Sequence, residues 1–136
     1  MTEPIDLISR MTQSTPQAAT LGFEVVEVSA ERAVMRAAWK PEMVGDPATG
    51  VIAGGVVTTL IDHVSGLAVN AARQGGMGAI ATLDLRIDYL RPGIGERFEL
   101  HAEVLRLGSR VATTRMEFLG ADGKLLSTGS AAYIVS

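Results

Sequence analysis

The segment from Thr49 to Val69, "TGVIAGGVVTTLIDHVSGLAV", sets two glycines, a carboxylate and an imidazole into an otherwise apolar run. Asp62 falls in its middle, where a buried carboxylate without partners is strongly penalised. Such a residue needs hydrogen-bond partners or a chemical task. In a helix the seven residues from Gly55 to Asp62 make nearly two turns, so the two share a face. Thr58 lies between them, and Ser65 and Gly66 continue the same narrow polar stripe. At the other end of the stripe, Gly54 and Gly55 stand where a loop turns into the helix. The first helical N–H groups lack intrahelical partners, and the helix dipole favours negative charge beside them. Without side chains there, a ligand oxygen can approach closely enough for an oxyanion hole. Two plainer readings stay open. The glycines would equally allow tight helix–sheet packing, and Asp62 would equally be satisfied by threonine hydroxyls, by backbone, or at a dimer seam.

The remaining reactive residues offer less. His63 points about 100° away from Asp62, so the pair is no dyad, and His63 reads as a packing residue at a helix–sheet or subunit contact. His101 sits among Arg97, Glu99 and Glu103 and reads as a surface residue. No G-x-S-x-G nucleophile elbow occurs. "GMGAIAT" runs into a strand pattern, so it is no dinucleotide fingerprint. Cysteine is absent and there are only two histidines, so no metal site and no cofactor is expected. Of Arg86, Arg91, Arg97, Arg106, Arg110 and Arg115, the turn positions Arg91 and Arg110 are the better candidates for gripping phosphates.

These residues must be positioned by an ordered set of elements. Residues 1–20 read as a weak helix or a tail. "GFEVVEVSAERAVMRAAW" reads as two strands around a polar turn at Ser29–Arg32, with Ala33, Met35, Ala37 and Trp39 on one face. Residues 40–53, with two prolines and two glycines, read as a loop. Gly54 to about Arg73 reads as one helix of roughly 30 Å. It is apolar on most sides, so it is buried on most sides, and the glycines of "RQGGMG" end it. After residue 78 four strands follow. In the first, Leu83, Leu85, Ile87 and Tyr89 alternate with Thr82, Asp84, Arg86 and Asp88. Later, "GS" and the Asp-Gly of "ADGK" mark hairpin turns. One sheet must curl around one helix to bury it, which is an α+β arrangement of about five to six strands in a single domain, 1–136.

Composition agrees with a globular domain: 47% hydrophobic, 20% charged and a formal net charge of −3. There is no basic footprint for nucleic acid, no signal-peptide core and no charge-free apolar run long enough to span a membrane. A cytoplasmic protein is expected.

With these parts aligned, the sequence resembles the hotdog-fold acyl-CoA thioesterases of the PaaI-like, phenylacetate-pathway branch, over roughly residues 20–135. The segment "GVIAGGVVTTLIDHVSGLAV" resembles the family pattern G-x-x-H-G-G, a D seven positions after the last G, and a small residue a turn later. "LDLRIDYLRPG" and "VLRLGSR" resemble its next strands and turns. The resemblance implies a curved antiparallel sheet around one central helix, hydrolysis of an acyl-CoA thioester, and a homodimer or dimer of dimers with sites shared between subunits. Asp62 would activate water or attack the thioester, the Gly54 N–H would polarise its carbonyl, and Thr82 would help position water. Gly55, Thr58, Asp46, Arg91 and Arg110 would line or grip the substrate. Two positions depart from the family: Ala53 stands where it has histidine, and Asp46 where many members have asparagine.

Overall fold

The computed structural model describes residues 14–73 and 79–135. In chain order these form α1 (Pro16–Leu21), β1 (Glu24–Val28), β2 (Arg32–Ala38), a 3-10 turn (Pro41–Met43), β3 (Val44–Asp46) and β4 (Val51–Ile52). The long helix α2 (Gly54–Ala72) follows, then β5 (Ile80–Tyr89), β6 (Arg97–Leu107), β7 (Val111–Gly120) and β8 (Leu125–Val135). Of residues 1–20, residues 1–13 lie outside the described part, as do the glycines of the "RQGGMG" stop at 74–78.

The six long strands make one antiparallel sheet in the order β1-β2-β6-β7-β8-β5. The sheet lays one face on α2. From β2 it buries Ala33, Met35 and Ala37, from β6 Phe98 and Leu100, and from β7 Met116 and Phe118. Against them α2 packs Val57, Leu60, Ile61, Val64 and Ala68. The helix can sit this close because Gly129 of β8 lies beneath it. A Cβ there would come within 3.1 Å of both Ile61 and Met116. The opposite sheet face carries ion pairs such as Arg32–Glu27, Arg36–Glu99 and Arg115–Glu103. None of the helices described is long and apolar enough to cross a membrane.

Three local expectations change. Residues 40–53 are not an irregular loop, because they fold into the 3-10 turn and the small β3–β4 hairpin. The Asp46 carboxylate closes that hairpin by accepting from the Ala48 N–H and the Thr49 hydroxyl, and Gly50 takes the left-handed φ of 77°. Trp39 follows the end of β2 and is partly exposed, its indole N–H donating to the Gly50 carbonyl. The third change concerns β5. Its register on β8 slips between Thr82 and Asp84, leaving Leu83 unpaired. A bulged residue resets the alternation of faces. Thr82 therefore shares the helix-facing side with Leu85, Ile87 and Tyr89, while Leu83 is 56% exposed.

Candidate active site

The polar stripe of α2 meets the sheet residue by residue. Near the helix start, the Thr58 hydroxyl donates to the Gly54 carbonyl at 3.0 Å and lies 2.6 Å from the Tyr89 hydroxyl of β5. Tyr89 also reaches the Gly54 carbonyl, at 2.8 Å. One turn on, the half-buried Asp62 receives two donors on a single oxygen. The Thr82 hydroxyl donates to Oδ1 at 2.9 Å and the Tyr133 hydroxyl at 2.7 Å. Further along, the buried Ser65 pairs with Thr114 of β7 at 2.7 Å. Burial pushes the Tyr133 phenol well above its ordinary range, and the Asp62 carboxylate adds to that shift. The phenol is therefore a proton donor to Asp62 at any working pH.

Two groups on this stripe are left open. Among the described residues no hydrogen bond goes to Asp62 Oδ2, and none leaves the N–H groups of Gly54 or Gly55. The cap residue Ala53 has no capping side chain; its carbonyl takes the N–H groups of Val56 and Val57. An open carboxylate oxygen and an open pair of helix N-terminal donors therefore sit on one helix, one able to take a proton or attack, the other able to stabilise an oxyanion.

Residues 49–127 match the family model for the thioesterase superfamily. The chain belongs to the thioesterase superfamily. It is 33% identical over 128 residues to the medium/long-chain acyl-CoA thioesterase YigI of Escherichia coli (strain K12), covering 85% of this chain and 82% of that protein. It is 30% identical to acyl-coenzyme A thioesterase 13 of Homo sapiens, covering 91% of this chain and 88% of that one. Its fold superposes on a Shewanella oneidensis protein related to the thioesterase superfamily with a TM-score of 0.85 at 29% identity, covering 99% and 100% of the two chains. The six-stranded antiparallel sheet around one long helix is the hotdog fold expected from the resemblance.

Within this thioesterase-superfamily chain, the expected site residues separate into groups. Asp62 and Thr82 are in direct contact. Gly54, Gly55 and Thr58 gather at the helix start. The two groups do not meet within one chain, since eight residues of helix hold Gly54 and Asp62 about 12 Å apart. Asp46 spends its carboxylate on the β3–β4 turn. Arg91 follows the end of β5 beside the helix start, whereas Arg110 lies in the β6–β7 turn, where its carbonyl accepts from Val135 at the end of β8. The length of β5, about 30 Å, separates those ends.

His63 leans its ring on Phe23 with centroids 5.1 Å apart, so it is the packing residue its helical phase suggests. Burial lowers its imidazole below the ordinary value, against the pull of the neighbouring Asp62. His101 lies on the outer sheet face. Arg32 can only donate to its Nδ1, so its Nε2 donates to Glu99. Sequence reasoning missed Tyr133 and undervalued Tyr89. Tyr133 sits in "SAAYIV", where apolar residues occupy both faces and hide the alternation. Its one signal was a phenol in a strand bound for the core, because a buried tyrosine hydroxyl seeks a partner.

Proposed function

We propose that this protein is an acyl-CoA thioesterase of the PaaI-like branch, working as a homodimer or dimer of dimers in the cytoplasm. Asp62 serves as general base or nucleophile, and the Gly54 N–H serves as the oxyanion donor. In the general-base form, Asp62 Oδ2 takes a proton from water while the water oxygen bonds to the thioester carbon. The C–S bond then breaks and the CoA sulfur leaves with a proton, giving a free acid and a thiol. The observation that carries this reading is the open Oδ2 on a carboxylate whose other oxygen is held by two hydroxyls.

The 12 Å between the two poles supports a shared site, since reacting atoms must come within about 3–3.5 Å. A second copy placing its glycine turn against Asp62 closes that gap. Strand β5 is a ten-residue sheet edge, paired among the described residues only with β8, and such an edge is a template for another strand. The YigI relative's name supports a medium or long acyl chain. The exposed Tyr89, which contacts the glycine turn, and the exposed Leu90 and Ile94 that follow it in sequence offer apolar surface for one. Arg91 and Arg110, each beside a different end of β5, grip CoA phosphates from the two subunits. Thr58 and Gly55 line the path to the glycine turn, and Asp46 shapes its approach through the hairpin it closes.

The test is thiol release from a panel of acyl-CoAs by wild type and Asp62→Asn. Asn keeps the shape and removes the base, so turnover should fall on the order of 10²–10⁴-fold with the fold intact. Wild-type binding without turnover would mark the protein as an acyl-CoA binder, the reading that the missing side-chain donor at Ala53 favours.

A further inference from the structure

The geometry points to Tyr133 as a positioning residue for Asp62: together with Thr82 it ties down Oδ1, so that Oδ2 is the oxygen presented to water or thioester. This inference rests on the thioesterase reading. Tyr133 is 2% exposed, and its hydroxyl meets Asp62 twice, at Oδ1 (2.7 Å) and at the main-chain carbonyl (3.1 Å). Both ends of one residue are thereby referred to the same rigid ring, which has only two side-chain torsions of its own. Thr82 stands directly opposite Tyr133 in the β5–β8 ladder, so the two donors arrive side by side. The slip at Leu83 is what turns Thr82 toward the helix while Leu85 and Ile87 stay on that face.

A carboxylate offers about four acceptor positions on two oxygens. Two of those on Oδ1 are filled by charge-assisted bonds, and rotating the carboxylate would break both. Neither hydroxyl is basic enough to take the proton that Asp62 gains, and Oδ1 already receives two donors. The proton therefore stays on Oδ2, on the open side. The pair also fixes the plane of the carboxylate, so the group is preorganised before substrate arrives. Tyr133 touches neither substrate nor water in this scheme and acts only through Asp62.

The experiment compares wild type, Tyr133→Phe, Thr82→Val, Asp62→Asn and Tyr133→Phe/Asp62→Asn on one acyl-CoA that wild type hydrolyses, with folding checked by circular dichroism. Tyr133→Phe should lower kcat on the order of 10- to 100-fold, the worth of one hydrogen bond to a charged group, and leave KM within about two-fold. Thr82→Val should show the same split. In the Asp62→Asn background, Tyr133→Phe should slow nothing further, since the group it positions is gone. A merely structural tyrosine would instead slow both backgrounds alike or shift KM, and that result overturns the inference. So does a folded Tyr133→Phe with the kcat of wild type. If Tyr133→Phe does not fold, Thr82→Val with unchanged kcat overturns it alone. A wild type inert on the whole panel overturns the thioesterase reading, and this role with it, which is a different result from an active wild type matched by its variants.

Discussion

The Tyr89 hydroxyl lies 2.8 Å from the Gly54 carbonyl oxygen, joining the last residue of β5 to the first residue of α2 across 35 positions of sequence. Thr58 completes a three-membered contact with the same carbonyl. The glycine turn is therefore held in place from the sheet, although no side chain caps it. Tyr89→Phe should leave the core intact, because Tyr89 is 53% exposed, and should loosen the turn that aims the Gly54 N–H. The expected outcome is a fall in kcat/KM of roughly 2- to 12-fold, within the range for one hydrogen bond, with little change in melting temperature. Steady-state kinetics beside a thermal melt would show it; an unchanged kcat/KM would mean that the turn holds itself.

Gly129 makes a different prediction, about stability. The Cβ of an alanine there would stand 3.1 Å from the buried Ile61 and Met116 side chains and 3.3 Å from the Arg86 carbonyl. Ile61 and Met116 are fully buried, and Arg86 is backbone, so little can move away. Overpacking of this kind typically costs about 1–3 kcal/mol. Gly129→Ala should lower the denaturation midpoint with an unchanged slope, and because Ile61 neighbours Asp62 it should also disturb activity. A midpoint equal to or above that of wild type would show that the helix can lift at no cost.

His63 sets a pH dependence. Its imidazole is held below 6.5 mainly by burial, so the folded chain binds its proton less readily than the unfolded chain does. Where the unfolded state carries more protons, stability rises with pH. The contribution is thus intact above about pH 6.5 and is lost as pH falls through 6.5 toward the lowered folded value. His63→Phe keeps an aromatic ring against Phe23 and removes the titration. Melting temperature followed from pH 7.5 to 5 should decline more steeply in wild type than in this variant, and parallel curves would refute the assignment.

Assembly is the remaining prediction. The expectation of a second copy rests on the distance between the two poles of the helix and on the edge of β5, which among the described residues pairs only with β8. Sedimentation at micromolar concentration should give a dimer or larger species. Leu83→Lys, at the exposed bulge, should shift it toward monomer and reduce turnover in step. A wild type that sediments as a stable monomer while fully active would end the shared-site arrangement.

The helix, its burial and its polar stripe were legible in the sequence, because they depend on spacings of three, four and seven residues within one element. Thr58, Asp62 and Ser65 fall in phase wherever that segment is helical. The strands of the six-stranded sheet were legible for the same reason, as were the hairpin turns at Gly108–Arg110 and Ala121–Lys124, since alternation and turn chemistry are local; the short β3 and β4 were not. The partners of the stripe were not. Tyr89, Thr82, Thr114 and Tyr133 lie between 20 and 71 residues from the helix positions they meet, and which one arrives depends on strand order and register. Period-two reading sent Thr82 to the wrong face because one unpaired residue, Leu83, resets the alternation, and a bulge is defined only by the strand opposite. Sequence alone thus placed a carboxylate where it needed partners. Only the tertiary structure chose two hydroxyls for one of its oxygens and, among the described residues, none for the other, because hydrogen bonds between distant segments are decided by packing and not by neighbours in the chain.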